Sequence, residues 1–224
     1  MTPALKQRLA RMRDIALKAA LVAALLAIAT VAAQTADVVL PAPQTDGGKP
    51  LMQALKERRT TRSFSGQPLA AQQLSNLLWA AWGINRPDGH RTAPSARNWQ
   101  EIDVYVALGD GLYVYDAKGH ALKRVLAQDV RALSGTQSHA GEAPLTLIYV
   151  ADERRMGMAD SETRRVFAAA DTGFIAQNVY LFCASEGLGS VVFASIDRDR
   201  FAQAAGLRPE QRITLAQSVG YPGR

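Results

Sequence analysis

Three features of the sequence predict an α+β fold. Apolar residues recur at helical spacing over residues 70–82, strictly alternating positions begin at residue 102 and turn back at Gly109-Asp110-Gly111, and a long apolar-rich helical pattern covers residues 160–186. Helix and strand patterns succeed one another without regular alternation, which separates the chain from the doubly wound parallel folds. With 48% hydrophobic and 21% charged residues among 224, the chain has enough apolar side chains for one ordinary core.

The first segment stands apart. Lys6, Arg8, Arg11, Arg13 and Lys18 against Asp14 account for +4 of the net charge of +6. Residues 19–33 are then apolar except for Thr30, and polar Gln34-Thr35 follows. A basic start, an apolar middle and small residues at the end are the layout of an export signal, and cleavage after Ala33 is expected. The alternative is an uncleaved membrane anchor, because Ile15, Ala16 and Leu17 extend the run across Lys18 toward the roughly 20 residues that span a bilayer. Either way residues 1–33 are an address, and an exported, periplasmic protein is expected. The remaining body is nearly neutral, so no basic stripe is left for nucleic acid. Residues 34–50, with Pro41, Pro43, Gly47, Gly48 and Pro50, are expected to be a linker, and residues 51–224 the folded domain.

Within the domain, Leu51, Met52 and Leu55 fit one face of a short helix ending near Arg58. Leu69, Leu74, Leu77, Leu78, Ala81 and Trp82 predict a helix over residues 70–82 that stops at Gly83. Ile102, Val104 and Val106, then the turn at 109–111, then Leu112-Tyr113-Val114-Tyr115 predict a hairpin. Residues 116–119 form a second turn, and residues 121–126 continue as a strand or begin a helix. Residues 145–150, Leu-Thr-Leu-Ile-Tyr-Val, suit a central strand. In the helix over 160–186 the apolar residues lie on more than one side, which predicts a largely buried helix stopped by Gly187 and Gly189. A short strand at 191–193, a helix from Asp197 and a closing strand over 212–219 complete the chain. There is no internal repeat.

Candidate chemistry is sparse in nucleophiles and metal ligands. The one cysteine, Cys183, lies in an apolar string and is expected to be a buried structural thiol. His90, His120 and His139 stand far apart, so metal catalysis is not expected. Residues 58–64 are different. Arg58, Arg59 and Arg62 with Thr60, Thr61 and Ser63 put three guanidiniums and three hydroxyls at a helix exit, a composition suited to gripping a phosphate. In residues 93–100, Ala-Pro-Ser-Ala-Arg-Asn-Trp-Gln, small residues allow close approach of the backbone to a flat ligand, and Asn98 can donate and accept along its edge. A third block runs from Asp171 to Gly187-Leu188-Gly189, and a fourth is Val219-Gly220-Tyr221-Pro222. Each has an ordinary reading when taken alone: a solvated charge run, a polar loop, a plain helix stop.

In this order the four blocks resemble the FMN-dependent nitroreductase family, and they span nearly the whole body. The resemblance implies a mixed, mainly antiparallel central sheet flanked by helices, and a homodimer with two flavins at the subunit interface. It assigns Arg58, Arg59 and Thr60 to the phosphate and ribityl side of FMN, with Arg62 on the phosphate or the pyrimidine edge. It places Pro94, Ser95, Arg97, Asn98 and Gln100 beside the flavin, Gly187, Leu188 and Gly189 at a close backbone approach, and the main chain of Ala194 and Ser195 at the reactive nitrogen. No catalytic side chain is implied. Two departures stand out. Glu101 replaces the proline usual after the bend, and the chain stops at Arg224 where relatives continue, so that either Arg224 serves the phosphate or that contact is absent. The implied function is two-electron transfer between a reductant such as NAD(P)H and a small acceptor such as a nitroaromatic or quinone. The alternatives are a dehydrogenase of a peptide-like substrate, similar to the enzymes that oxidise azoline rings, and a flavin-binding protein without turnover. Loops at 86–91 and 128–141 are expected around the pocket.

Overall fold

A computed structural model describes residues 37–223. The expected export segment, the start of the expected linker and Arg224 lie outside the described residues.

Seven strands form one sheet: β1 (Val38–Val39), β2 (Ile102–Leu108), β3 (Gly111–Asp116), β4 (Ala121–Leu126), β5 (Leu145–Asp152), β6 (Gly189–Phe193) and β7 (Gln211–Gly220). Their order is β1-β4-β3-β2-β5-β7-β6, and all pairings between them are antiparallel. The helices are α1 (Leu51–Glu57), α2 (Ala71–Trp82), α3 (Ser138–Glu142), α4 (Ser161–Glu186) and α5 (Arg198–Ala205). The α+β class, the hairpin, the two long helices and the central strand are thus as the patterning predicts, and residues 121–126 resolve as a strand.

All eight residues of β5 are buried, as its unbroken apolar run requires, and β2 and β7 flank it. The two-residue period of the strands divides the core. Val104, Val106, Leu147 and Tyr149 face α2 and α4, packing with Leu77, Leu78, Trp82, Ile175 and Val179. Tyr105, Ala107, Ile148 and Val150 face the other way, toward Phe201 of α5 and Ile213. The stop after α2 is steric: a Cβ on Gly83 would lie 2.5 Å from Cδ1 of Trp79.

The structure departs from expectation in three places. Residues 37–50, expected as a linker, are strapped to the body. β1 adds to the sheet edge beside β4, Leu40 is buried, the Ser75 hydroxyl donates to Pro41 O at 2.6 Å, and Lys49 N–H donates to Ser185 Oγ at 2.7 Å. Pro and Gly content marked a segment without regular structure, which is compatible with a segment laid along a surface.

The second departure is α4. Asp160 caps its start by accepting from Thr163 N–H, and Gly187 ends it in the left-handed conformation at φ +71°. One side packs Ile175, Ala176, Val179 and Cys183 into the core, but Val166, Phe167 and Phe174 are exposed. The apolar residues on more than one side therefore reflect a packed face and a bare face, not complete burial. The third concerns Gly189, which does not stop the helix; it opens β6 at a point where a Cβ would lie 2.7 Å from Cγ2 of Thr61.

Close approach at Gly189 is what lets residues 58–64 lie against the sheet. Gly189→Ala is expected to lower stability by about 1–3 kcal/mol through overpacking, read as a lower urea midpoint with an unchanged m-value.

Candidate functional site

The arginine segment leaves α1 and runs extended between β6 and the chain end. Arg58 N–H closes α1 on Ala54 O at 2.9 Å, Thr60 pairs in parallel with Ser190, and Thr61 N–H donates to Ser190 O at 2.8 Å. Ser65 N–H donates to Tyr221 O at 2.9 Å, and Gly223 N–H to Ser63 O at 2.8 Å. Three blocks distant in sequence are thereby stitched side by side: the arginines, the glycine turn and the Gly-Tyr-Pro stretch.

Between them lies a cleft of about 570 Å³. Its walls carry Lys49, Lys56, Arg58 and Arg59 against the single carboxylate Glu57, with Tyr180, Gly187, Leu188 and Pro222 completing the lining. Glu57 is already matched by Lys49 at 2.6 Å, and that hydrogen bond holds its carboxyl below the ordinary range. The Arg58 guanidinium lies 5.3 Å from the centre of the Tyr180 ring, a cation–π contact that orders a long side chain. Tyr180 is itself fixed, because its hydroxyl oxygen accepts from Val192 N–H at 2.8 Å. An excess of cations held this way suits a ligand bearing several anionic oxygens. Cys183 reaches the same wall but is 1% exposed, and burial pushes its thiol far above its ordinary pKa, so it stays protonated.

The bend over residues 94–100 is a second feature. Ala96–Asn98 form a 3-10 turn, and Arg97, Asn98 and Gln100 all take left-handed conformations, with φ +50°, +53° and +48°. Such backbone costs energy in residues with a Cβ and persists only where surroundings hold it. Here Ala96 N–H donates to Asp171 Oδ2 at 2.9 Å, Gln100 N–H to Ser95 Oγ at 2.8 Å, and the Ser95 hydroxyl to Glu101 Oε2 at 3.2 Å. Gln100 is gripped further. Its side chain donates to Gly89 O and Asn98 Oδ1 and accepts from Arg91 Nε, while its carbonyl accepts from Arg155 Nη1. Arg97 projects outward over the Trp99 ring. Pro94, Ser95, Asn98 and Gln100 open with Arg86, His90 and Arg91 onto a pocket of about 200 Å³.

Of the predicted site residues, the structure brings Arg58, Arg59, Gly187 and Leu188 into one cleft. Thr60 and Arg62 lie on the same segment, exposed and outside the lining of that cleft. Gly189 packs on Thr61. Pro94, Ser95, Asn98 and Gln100 gather at the separate smaller pocket, and Arg97 lies at another opening with Trp99 and Met158. Ala194 and Ser195 follow β6. Ser195 accepts from Thr136 N–H at 2.9 Å, and Ala194 O accepts from Arg198 Nη1 at 3.2 Å. The expected flanking loops are in part where they were placed: 86–91 borders the bend, and Thr136 and Gln137 touch Ser195. Arg224 lies outside the described residues.

Sequence reasoning missed Lys49, Lys56 and Tyr180 in the cleft, and the buried pair Glu101 and Asp171 beneath the bend. Lys56 could have been found, being two residues before Arg58 at the same helix end. Lys49 could not, because it sits in a segment whose composition spoke only of irregular structure.

Residues 55–221 match the Nitroreductase family model. A chain from Ralstonia eutropha JMP134 is 43% identical, with a TM-score of 0.82 over 85% of this chain and 91% of its own. A Methanocaldococcus jannaschii protein is 32% identical over 151 residues, 63% of this chain and 76% of its own; both carry the name "putative nitroreductase". The NADPH:FMN oxidoreductase of Vibrio harveyi, solved with NAD+, shares the fold at 20% identity and a TM-score of 0.59, over 78% of this chain and 69% of its own. The class so defined is an oxidoreductase. The chain belongs to the nitroreductase family.

Tyr180 both supports Arg58 and satisfies Val192 N–H, so Tyr180→Leu should destabilise the chain by about 1–3 kcal/mol, measured by equilibrium urea unfolding.

Proposed function

We propose that the protein is an exported, homodimeric FMN-dependent oxidoreductase that carries two electrons between a reductant and a small organic acceptor such as a nitroaromatic or quinone. The observation that carries this reading is the convergence of Arg58 and Arg59 with the Gly187-Leu188 end of α4 in one cation-rich cleft. When bound, FMN supplies the redox chemistry. The residues present fit such a group: the cleft is within the roughly 300–1,000 Å³ range of cofactor pockets, its cations exceed its carboxylates, and Gly187 leaves open space where a Cβ would point. Arg58, Arg59 and Lys56 would hold the phosphate, with Arg58 kept in place by Tyr180. Gly187 and Leu188 would let the backbone come close, and the Asn98 and Gln100 amides would meet the polar edge of a planar ligand.

Two observations support a homodimer. The arginine cleft and the bend open onto separate pockets, with Thr60, Arg62, Pro94, Arg97 and Asn98 all exposed, so that neither surface alone encloses a ligand. The bare face of α4, with Val166, Phe167 and Phe174, is accompanied by exposed Leu51, Met52 and Leu55 on α1, an apolar surface a second copy would cover. Export, proposed from residues 1–33, would part the protein from cytoplasmic nicotinamide cofactors, so the donor is NAD(P)H or another two-electron reductant of its compartment.

The purified full-length chain is expected to be yellow, to lose its visible flavin absorption on anaerobic addition of a reductant, and to regain it with a nitroarene or quinone. A colourless protein that takes up no FMN overturns the reading. Arg58→Ala with Arg59→Ala should weaken FMN binding by about a hundredfold or more, from about 1.5–3 kcal/mol per charge-assisted contact, with the thermal midpoint little changed. Phe174→Glu should shift the chain to monomer in light scattering and lower flavin retention with it.

A further inference from the structure

The bend is held from beneath by two carboxyl groups to which the reading above gives no role. Glu101 is fully buried and Asp171 is 1% exposed. Each grips the bend: Asp171 Oδ2 through Ala96 N–H, and Glu101 Oε2 through the Ser95 hydroxyl, whose oxygen takes Gln100 N–H. The two side chains lie within hydrogen-bonding range of one another, and Glu101 Oε1 meets no donor among the described residues.

The nearby charges are committed elsewhere. Arg155 is spent on Gln100 O and the Asp103 carboxylate, and Arg91 on the Gln100 side chain and Trp82 O. Asp152 donates its N–H to Glu101 O, while its own carboxylate pairs with Arg154 and Arg208. Arg97 lies over Trp99. None of these arginines forms an ion pair with Glu101 or Asp171 among the described residues. Two ionised carboxylates buried together without a cation are strongly disfavoured. A single proton between them removes one charge and supplies the donor that Oε1 lacks.

We propose that Glu101 and Asp171 share one proton, and that this proton keeps Arg97, Asn98 and Gln100 in their left-handed form, making Glu101 a positioning residue for the site. The proposal rests on the reading that the bend serves the flavin site. Removal of the proton leaves two negative charges in contact. The carboxyls then separate, Ser95 and Ala96 lose their anchors, and Arg97, Asn98 and Gln100 relax toward right-handed backbone. Burial, reinforced by the charge of Asp171, pushes Glu101 from 4.5 up to about 7. The folded chain thus binds a proton that the unfolded chain releases above about 4.5. Stability from this source is greatest at the acid end of that window, falls as pH rises through it, and levels off above about 7.

The test uses the full-length chain, with infrared difference spectroscopy and limited trypsin cleavage after exposed Arg97. From pH 6 to pH 8 the protonated-carboxyl band of the native chain should fall about tenfold, and cleavage at Arg97, normalised to an unstructured peptide, should rise by a similar factor, as one proton titrating near 7 requires. Glu101→Gln, whose amide donates at every pH, should lack the band and cleave at a rate constant within about twofold across that range. Asp171→Asn removes the neighbouring charge but leaves Glu101 buried, so the fall of the band and the rise in cleavage should move to lower pH; it serves as the second variant should the first not fold. A native chain without the band, or a variant whose cleavage profile superimposes on the native one, overturns the proposal. Flavin retention is scored separately: loss of flavin binding with the band present would sink the cofactor reading and leave the shared proton standing.

Discussion

Helix α4 is the constraint on which the rest depends. Its inner face packs Ile175, Ala176, Val179 and Cys183 against the sheet, and this burial fixes the position of every group it carries outward. Near its middle, Asp171 reaches the bend. Near its end, Tyr180 backs Arg58 and Gly187 shapes the cleft. Its remaining face is bare and apolar. A helix with one packed side is a rigid ruler, so the bend and the cleft are set relative to each other by core packing and not by the loops that form them.

The two regions of the site use opposite electrostatics. Around the cleft, cations exceed anions in a partly solvated setting, where Lys49 and Glu57 neutralise one another and Lys56, Arg58 and Arg59 remain available. Such side chains keep their charge and gain when an anion displaces water. Beneath the bend two acids are buried with no cation between them, a setting in which charge is lost before it is paired. The first arrangement is built to attract, the second to hold backbone in a shape that polypeptide does not favour. The replacement of proline by Glu101 is explicable on this footing. A ring would stiffen the bend covalently, whereas the carboxyl stiffens it through Ser95 and, by way of Asp171, through Ala96.

Much of the fold was legible because its elements follow local periodicity. Val104, Val106, Tyr105 and Ala107 sort to two faces as their alternation demands, and α2 stops where Gly83 must avoid Trp79. The strap at residues 37–50 was not legible, since its hold on the body comes from single contacts such as Ser75 to Pro41, which leave no period. α4 was read as buried because a composition apolar on several sides does not distinguish a core from an uncovered surface. At the site, the residue types of the cleft were visible in Arg58, Arg59, Gly187 and Leu188. The separation of the bend from that cleft was not, because sequence order carries no information on which surfaces face one another. Within its block Asp171 carries no sign of its role, and Glu101 shows in the sequence only as a missing proline; their pairing is a tertiary fact between residues seventy positions apart.

That separation has a geometric consequence. Asp171, which anchors the bend, and Gly187, which shapes the cleft, lie sixteen positions apart on one helix, about 24 Å at 1.5 Å per residue. A small planar ligand held by the cleft would not reach the bend of the same chain across that length of packed helix. The proposed homodimer would resolve the difficulty without distortion. An isologous contact would set one patch against its own copy, so the bare apolar face on α4 would meet itself across the axis, and whatever one copy lacks beside its cleft the other would offer from its bend. In the proposed homodimer the exposure of Arg62 and Asn98 and the exposure of Phe174 would have one cause: both would belong to surfaces that a second chain finishes.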